Sequence, residues 1–474
     1  MSAATAPVAV LGAGPAGLAA ALALARAGRP VVLVDREDGV GGLARTVERD
    51  GFRFDIGGHR FYTRMPDVRA LWDELVNGDM LVRERRSRIL FRGRYFDYPL
   101  TASSALGGLG AAESARIAAS YLRARLRPIR PEASLADWVT NRFGRRLFET
   151  FFRTYTEKLW GIPCERIGAA WAAQRIRGLS LRAAIADMLR RGSGGQRTLV
   201  TEFEYPRLGP SMVWERMRER VEALGGRVLL RHRLAAVRHE RGRVRAVDLD
   251  GPGGRLAVDV SHLVSTVPLR DLAASLSPAL PEARAASTLW HRSFIEVALV
   301  LDGDDPFPDT WLYLHDRTVR AGRIQNFRAW SPELVPSPGH ACVGLEYFCS
   351  AGDALWSLGD RELARLAEED LAAIGFHGRR VAAAHVVRMR DAYPVYDDDF
   401  ASRIAAVARG LSRLENLAVA GRNGMHRYNN MDGATRSGLL AAANVLGARE
   451  DLWAADLDDG YLEPEPVERP ARAA

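Results

Sequence analysis

The segment from Val8 to Asp35 constrains this chain more than any other. A short apolar run, Val8-Ala-Val-Leu11, is followed by Gly12-x-Gly14-x-x-Gly17, an alanine-rich stretch, Gly28 and a second apolar run ending in Asp35. The apolar runs read as buried parallel strands and the segment between them as a helix stopped by Gly28. Each part has a physical task. Gly12 permits a tight turn, Gly14 lets the backbone approach a pyrophosphate, and Gly17 lets the helix lie close against the strand. The helix N-terminus then faces the phosphates, and Asp35 stands where an acid bonds a ribose hydroxyl. The expected unit is a Rossmann-type α/β dinucleotide-binding domain.

At 474 residues the chain exceeds what one hydrophobic core usually supports, so two or three substructures are expected. Its net charge is +8, nearly all of the positive charge coming from arginine. There is no basic run with interleaved aromatics and no zinc spacing, which argues against nucleic acid and for a small polyanionic ligand. Three scattered cysteines (Cys164, Cys342, Cys349) suggest neither a disulfide framework nor a metal site, and the expected compartment is the cytoplasm. The uncharged stretch Val8–Ala25 carries glycines and a proline at functional spacing, so it is read neither as a membrane span nor as a secretory signal.

Further along, Ile89–Phe96 has the form of a hairpin turning at Gly93, Ser134 is placed to cap a helix, and residues 134–191 read as helical. Gly192-Ser-Gly-Gly195 reads as a loop. The nucleotide fold then resumes through a helix near Trp214–Leu224, a strand at Arg227, a hairpin around Gly242 and a parallel strand at Leu263–Val267. Strand-like runs between residues 293 and 349 predict an antiparallel sheet, and Leu417–Arg422 a last buried strand and turn. The expected organisation is a discontinuous dinucleotide-binding domain (1–65, 193–268 and 380–460), a helical cleft subdomain (66–192), an antiparallel-sheet substrate domain (269–379) and a frayed tail (461–474).

Several blocks carry a resemblance to known families. Gly41-Gly42 with Arg45, directly after Asp35, resembles the motif that follows the dinucleotide fold in FAD-dependent amine oxidases. Phe54-Asp-Ile-Gly-Gly58-His59, Tyr95-Phe-Asp-Tyr98-Pro, Tyr155–Pro163 with Trp171–Arg175, Phe203–Pro210 and Gly421–Asp432 together resemble the UDP-galactopyranose mutases within that superfamily. The resemblance implies FAD as cofactor, held by Gly12, Gly14, Gly17, Asp35, Arg36, Gly42, Arg45, Gly58, His59, Gly421, Arg422 and Met431. It implies a nucleoside diphosphate sugar as substrate, bound by Tyr98, Tyr313, Tyr393, Tyr428 and Asp432, with His59, Arg175 and Arg323 closest to the chemistry. Arginine forks and phenol hydroxyls suit a diphosphate, because together they supply dispersed positive charge and neutral donors.

The implied reaction is a redox-neutral exchange of pyranose and furanose forms, with reduced FAD attacking the anomeric carbon and NAD(P)H as a candidate reductant. The chain departs from the family at Thr101, where a glutamine is usual, at Val200 and Thr201, where an asparagine is, and at Asp432, an asparagine in the closest mutases. These departures touch the base and sugar contacts more than the diphosphate clamp. The competing readings are a flavin oxidase or desaturase of the protoporphyrinogen oxidase and amine oxidase type, and a flavin-free binding protein like the GDP dissociation inhibitors.

Overall fold

The computed structural model describes residues 6–98, 100, 104, 108–169, 202–455 and 457. A five-stranded parallel sheet runs in the order Leu417–Val419, His262–Ser265, Val8–Leu11, Val31–Val34 and Arg227–Leu229. Its strands Val8–Leu11 and Val31–Val34 are buried throughout, which is why they read as unbroken apolar runs. The helix Pro15–Arg26 packs against Ser211–Ala223 and Met431–Val445. Two close approaches fix it there. A Cβ on Gly17 would lie 1.8 Å from the Gly12 carbonyl oxygen, and one on Gly438 would lie 2.0 Å from that of Ala16.

The second large element is a seven-stranded sheet in the order Val381–Pro394, His291–Asp302, His340–Cys349, Arg323–Asn326, Trp311–Leu314, Ser87–Phe91 and Arg94–Asp97. All its pairings are antiparallel except that between Trp311–Leu314 and Ser87–Phe91. Side chains alternate between its faces. Ile295, Val297, Leu299 and Leu301 pack under the helix Asp360–Ala373, through Leu363, Ala367 and Leu371. Phe294, Ala298 and Val300 face the opposite way, toward the nucleotide-binding side.

The helical unit builds a third core from Ile117, Val139, Phe148 and Phe151 against the hairpin residues Ile89 and Phe96. Ser134 caps the helix Leu135–Phe143 as expected: its hydroxyl accepts from the Asp137 amide at 3.2 Å, and the Asp137 carboxylate accepts from the Ser134 amide at 3.0 Å. The hairpin turns at Gly93, with φ +70°.

Strand pairing crosses the expected boundaries. Val381–Pro394, assigned by sequence to the nucleotide-binding part, runs along His291–Asp302 in the seven-stranded sheet, and the hairpin from the expected helical part supplies that sheet's far edge. Met80–Glu84 forms a strand paired with Glu202–Pro206, a pairing the sequence did not announce. Arg175, Trp171, Thr101, Val200, Thr201, the 192–195 loop and the tail 461–474 lie outside the described residues. Among the described residues, no helix is long and apolar enough to cross a membrane, and no group of three or more His, Cys, Asp or Glu is arranged to hold a metal ion.

Candidate active site

A cavity of about 1120 Å³ runs from the parallel sheet's carboxyl edge, across the inner face of the seven-stranded sheet, into the helical unit. At its nucleotide end stand Gly12, Gly14, Asp35, Arg36 and Gly42. Gly12 takes φ +96°, and a Cβ there would meet the Thr266 hydroxyl oxygen at 2.1 Å. Gly42 (φ +54°) abuts Gly14, its would-be Cβ 3.2 Å from the Gly14 Cα, and the Gly41 amide donates to the Ala13 carbonyl at 2.8 Å. The glycine doublet therefore closes directly on the first loop. Asp35 accepts from the amides of Ala13 (2.6 Å) and Glu37 (2.9 Å). Burial raises its carboxyl above the usual value, and those two donors oppose the rise.

The residues present fit the FAD that the sequence leads one to expect. The helix Pro15–Arg26 has no side-chain cap, so its first-turn amides face the glycine cradle without partners from the helix. Arg45 stands behind this loop rather than on the cavity wall, its guanidinium 3.8 Å from Asp38. Its buried Nε has no protein partner. Gly17 is likewise absent from the wall; its place is the helix–strand contact.

Midway along the cavity lie Gly57, Gly58 and His59. Burial, then the charges of Arg422 and Arg323, push the His59 imidazole down to about 3, so it is neutral at physiological pH. Beneath it, Asp55 accepts from Thr46 Oγ1 and Tyr205 OH at 2.7 Å each, and burial raises its carboxyl to about 7.

Beside this loop, the inner sheet face carries one continuous rung: Glu296, Glu346, Arg323 and Tyr313 are register partners across four strands. Arg323 pairs with Glu346 and donates to the Tyr393 hydroxyl at 3.0 Å. Burial opposes its charge, yet Glu346 and the surrounding phenols hold the guanidinium well above its ordinary range. Glu346 also accepts from Gln325 Nε2 at 2.8 Å. Both glutamates are buried and raised by that burial, Glu296 strongly so, with the facing Glu346 adding to the rise. Arg323 Nε is buried without a protein partner.

Phenols surround this guanidinium. Tyr98 packs on Tyr313 with ring centres 4.2 Å apart, Tyr155 meets Tyr313 edge-on at 5.5 Å, and Tyr393 stacks on Tyr428 at 6.0 Å. Burial, and for Tyr98 first the neighbouring Tyr313, raises the phenols of Tyr98, Tyr155 and Tyr393, so they stay protonated donors. Arg422 lies 4.4 Å over the Tyr428 ring and donates to the carbonyls of Asn429 and Ala392, making it a brace for this wall. Arg85 sits over Tyr98 at 5.4 Å and Trp311 at 5.6 Å.

The structure thus brings His59, Arg323, Tyr98, Tyr313, Tyr393, Tyr428, Gly421, Arg422 and Met431 to one wall. Asp432, expected there, is instead buried in the first turn of the helix Met431–Val445, one position behind the wall. The sequence reading overlooked Glu296, Glu346, Gln325 and Arg85, and took in Tyr155 only as the start of a cleft-lining block. A lone acid inside an otherwise apolar strand, as in Phe294-Ile-Glu296-Val-Ala, was the signal available. The described wall carries seven arginines against four acids, an environment for an anion.

The family described as flavin containing amine oxidoreductase matches residues 15–446. Coproporphyrinogen III oxidase of Mycobacterium tuberculosis (strain H37Rv) is 27% identical over 435 residues, covering 87% of this chain and 91% of that protein. Among solved structures, a reduced UDP-galactopyranose mutase superposes with a TM-score of 0.84 at 22% identity, over 96% of this chain and 97% of that one. A proposed protoporphyrinogen oxidase from Exiguobacterium sp. 255-15 gives a TM-score of 0.71 at 19% identity, over 94% and 98%. The two structural likenesses establish the fold.

Proposed function

The chain belongs to the flavin containing amine oxidoreductase family, and on that premise we propose that it is an FAD-dependent isomerase of a diphosphate-activated sugar, exchanging pyranose and furanose rings as nucleotide-sugar mutases do. The observation that carries this reading is the cavity-lining Arg323, held by Glu346 and Tyr393 and flanked by Tyr155 and Tyr313, beside a neutral His59. The flavin, when bound and reduced, supplies the nucleophile for the anomeric carbon. The chain's own groups bind and orient. Arg323 and the protonated phenols would receive the charge that grows on the departing diphosphate, in a setting where burial strengthens each interaction. His59 can hydrogen-bond without adding charge near the ring. The closed wall of Trp311, Tyr313 and Tyr393 would hold the sugar in one orientation and keep water away. Glu346 would orient Arg323 for this task.

A second reading, substrate oxidation, is favoured by the 27% identity to coproporphyrinogen III oxidase across most of the chain. A carboxylate-rich substrate would also find arginines here. One experiment separates the two. The purified, dithionite-reduced protein is offered a panel of diphosphate sugars and the products are read by NMR for new furanose or pyranose signals. Ring isomers without oxygen uptake are expected. No isomer with any sugar, together with oxygen-dependent oxidation of coproporphyrinogen, would transfer the assignment to the second reading.

A further inference from the structure

The cavity does not end at the phenols. Past Tyr155 it continues into the helical unit, where Ile89, Ile117, Leu135, Phe143, Leu147 and Phe151 form its wall. Between residues 100 and 160 no charged side chain lines it among the described residues, and the hydroxyls on that stretch of wall beyond Tyr155 belong to Tyr121 and Thr156; His315, which stacks on Tyr155 at the entrance, is kept neutral by burial. A base and a ribose carry many donors and acceptors and would leave most of them unpaired in such an arm. A hydrocarbon would not.

The arm also opens in a telling place. Ala118 and Leu122 line it and are exposed, Leu122 at 60%. Leu126, one further turn along the same flank of the helix Ala111–Leu126, is 82% exposed. An apolar strip therefore leads from the cavity mouth onto the surface. The apolar strip suits the tail of an amphiphile whose anionic head lies deeper in the cavity.

We infer that this arm is a subsite for a hydrocarbon chain, so that the group carried beyond the substrate's diphosphate is a prenyl or alkyl chain rather than a nucleoside. The head position rests on the reading above; the isomerisation does not enter. The chain lies along the Ile117–Leu147–Phe151 wall and leaves between Ala118 and Leu122.

The test uses the full-length, flavin-loaded protein and calorimetric titration with inorganic pyrophosphate, UDP, and dimethylallyl, geranyl and farnesyl diphosphates below their micelle concentrations. Each buried CH₂ is worth up to roughly fourfold in affinity. Farnesyl diphosphate should therefore bind at least tenfold more tightly than pyrophosphate or UDP, with affinity falling as the chain shortens. Ala118→Trp, at an exposed helix position, should fill the mouth and abolish the chain-length dependence while pyrophosphate still binds. Leu122→Glu, which places a carboxylate at the same opening, should weaken farnesyl diphosphate at least fivefold. UDP binding most tightly, affinity independent of chain length, or chain-length dependence unchanged in both variants would overturn the inference. Because the readout is binding, a protein that makes no ring isomers but keeps the chain-length dependence would remove the isomerase reading and leave this subsite standing.

Discussion

Arg323 has to be shared between Glu346, which it already contacts, and any anion entering the cavity. Removing the guanidinium should remove stabilisation that develops with charge on a leaving diphosphate. Arg323→Ala is expected to lower kcat/KM by roughly 10²–10³; Arg323→Lys should recover only part, since the planar fork is lost. Glu346→Gln should act oppositely on binding, freeing Arg323 and tightening pyrophosphate several-fold in a titration. Asp55 makes a pH prediction. Its folded pKa of about 7 lies above the free value of 3.8, so over that interval the native state keeps a proton that the unfolded chain releases. Stability should therefore be greatest near pH 4 with respect to this group and fall as pH rises to about 7, by on the order of 4 kcal/mol. Asp55→Asn, which still accepts one hydrogen bond from Thr46 or Tyr205, should flatten that slope in urea midpoints taken at pH 4.5, 6 and 7.5. An unchanged slope would mean that another group carries it. The sequence displayed Arg323 and the tyrosines because they fall in blocks of recognisable spacing. It concealed Glu296 and Glu346, whose meaning depends on the register between strands some fifty residues apart.

Among the elements, the glycine loops show how much local chemistry can be read directly. Gly17 and Gly28 look alike in the sequence, yet only one is held by packing. Gly17→Ala would drive a methyl into the Gly12 carbonyl, whereas Gly28 needs its positive φ but has open space around its would-be Cβ. Gly17→Ala is expected to cost about 1–3 kcal/mol in stability and to strip most of the flavin, read as the ratio of flavin to protein absorbance. Gly28→Ala should cost about 1 kcal/mol and leave flavin content unchanged. Equal flavin loss in both would show that the close approach at Gly17 is not what matters. The parallel strands and the hairpin at Gly93 were legible because each is signalled locally, by an apolar run or by a turn glycine. Val381–Pro394 and Met80–Glu84 were not. The first is rich in alanine, a poor strand former, and takes its shape from pairing with His291–Asp302. The second alternates weakly and pairs with residues more than a hundred positions away.

At the scale of the whole molecule, the cavity touches three of the hydrophobic cores: the nucleotide-binding one, the inner face of the seven-stranded sheet and the helical one. Such interleaving follows from strand pairing, since the chain crosses between layers wherever a strand finds its partner. A flavin bound in this cavity would be a link between cores. A ligand held only by the native state stabilises it by about 3–4 kcal/mol at a hundred to a thousand times its Kd. Removing FAD should therefore lower the thermal midpoint by several degrees, and added FAD should restore it in a concentration-dependent way. If the flavin joins the cores, the helical unit must feel its loss as well as the glycine loop. Amide exchange should then rise both at residues 35–60 and in the helices that line the cavity's far side, Leu135–Phe143 and Arg153–Trp160. Exchange that rises only around the glycine loop would mean that the helical unit is stable on its own and that the cavity, though continuous, does not couple the layers it crosses.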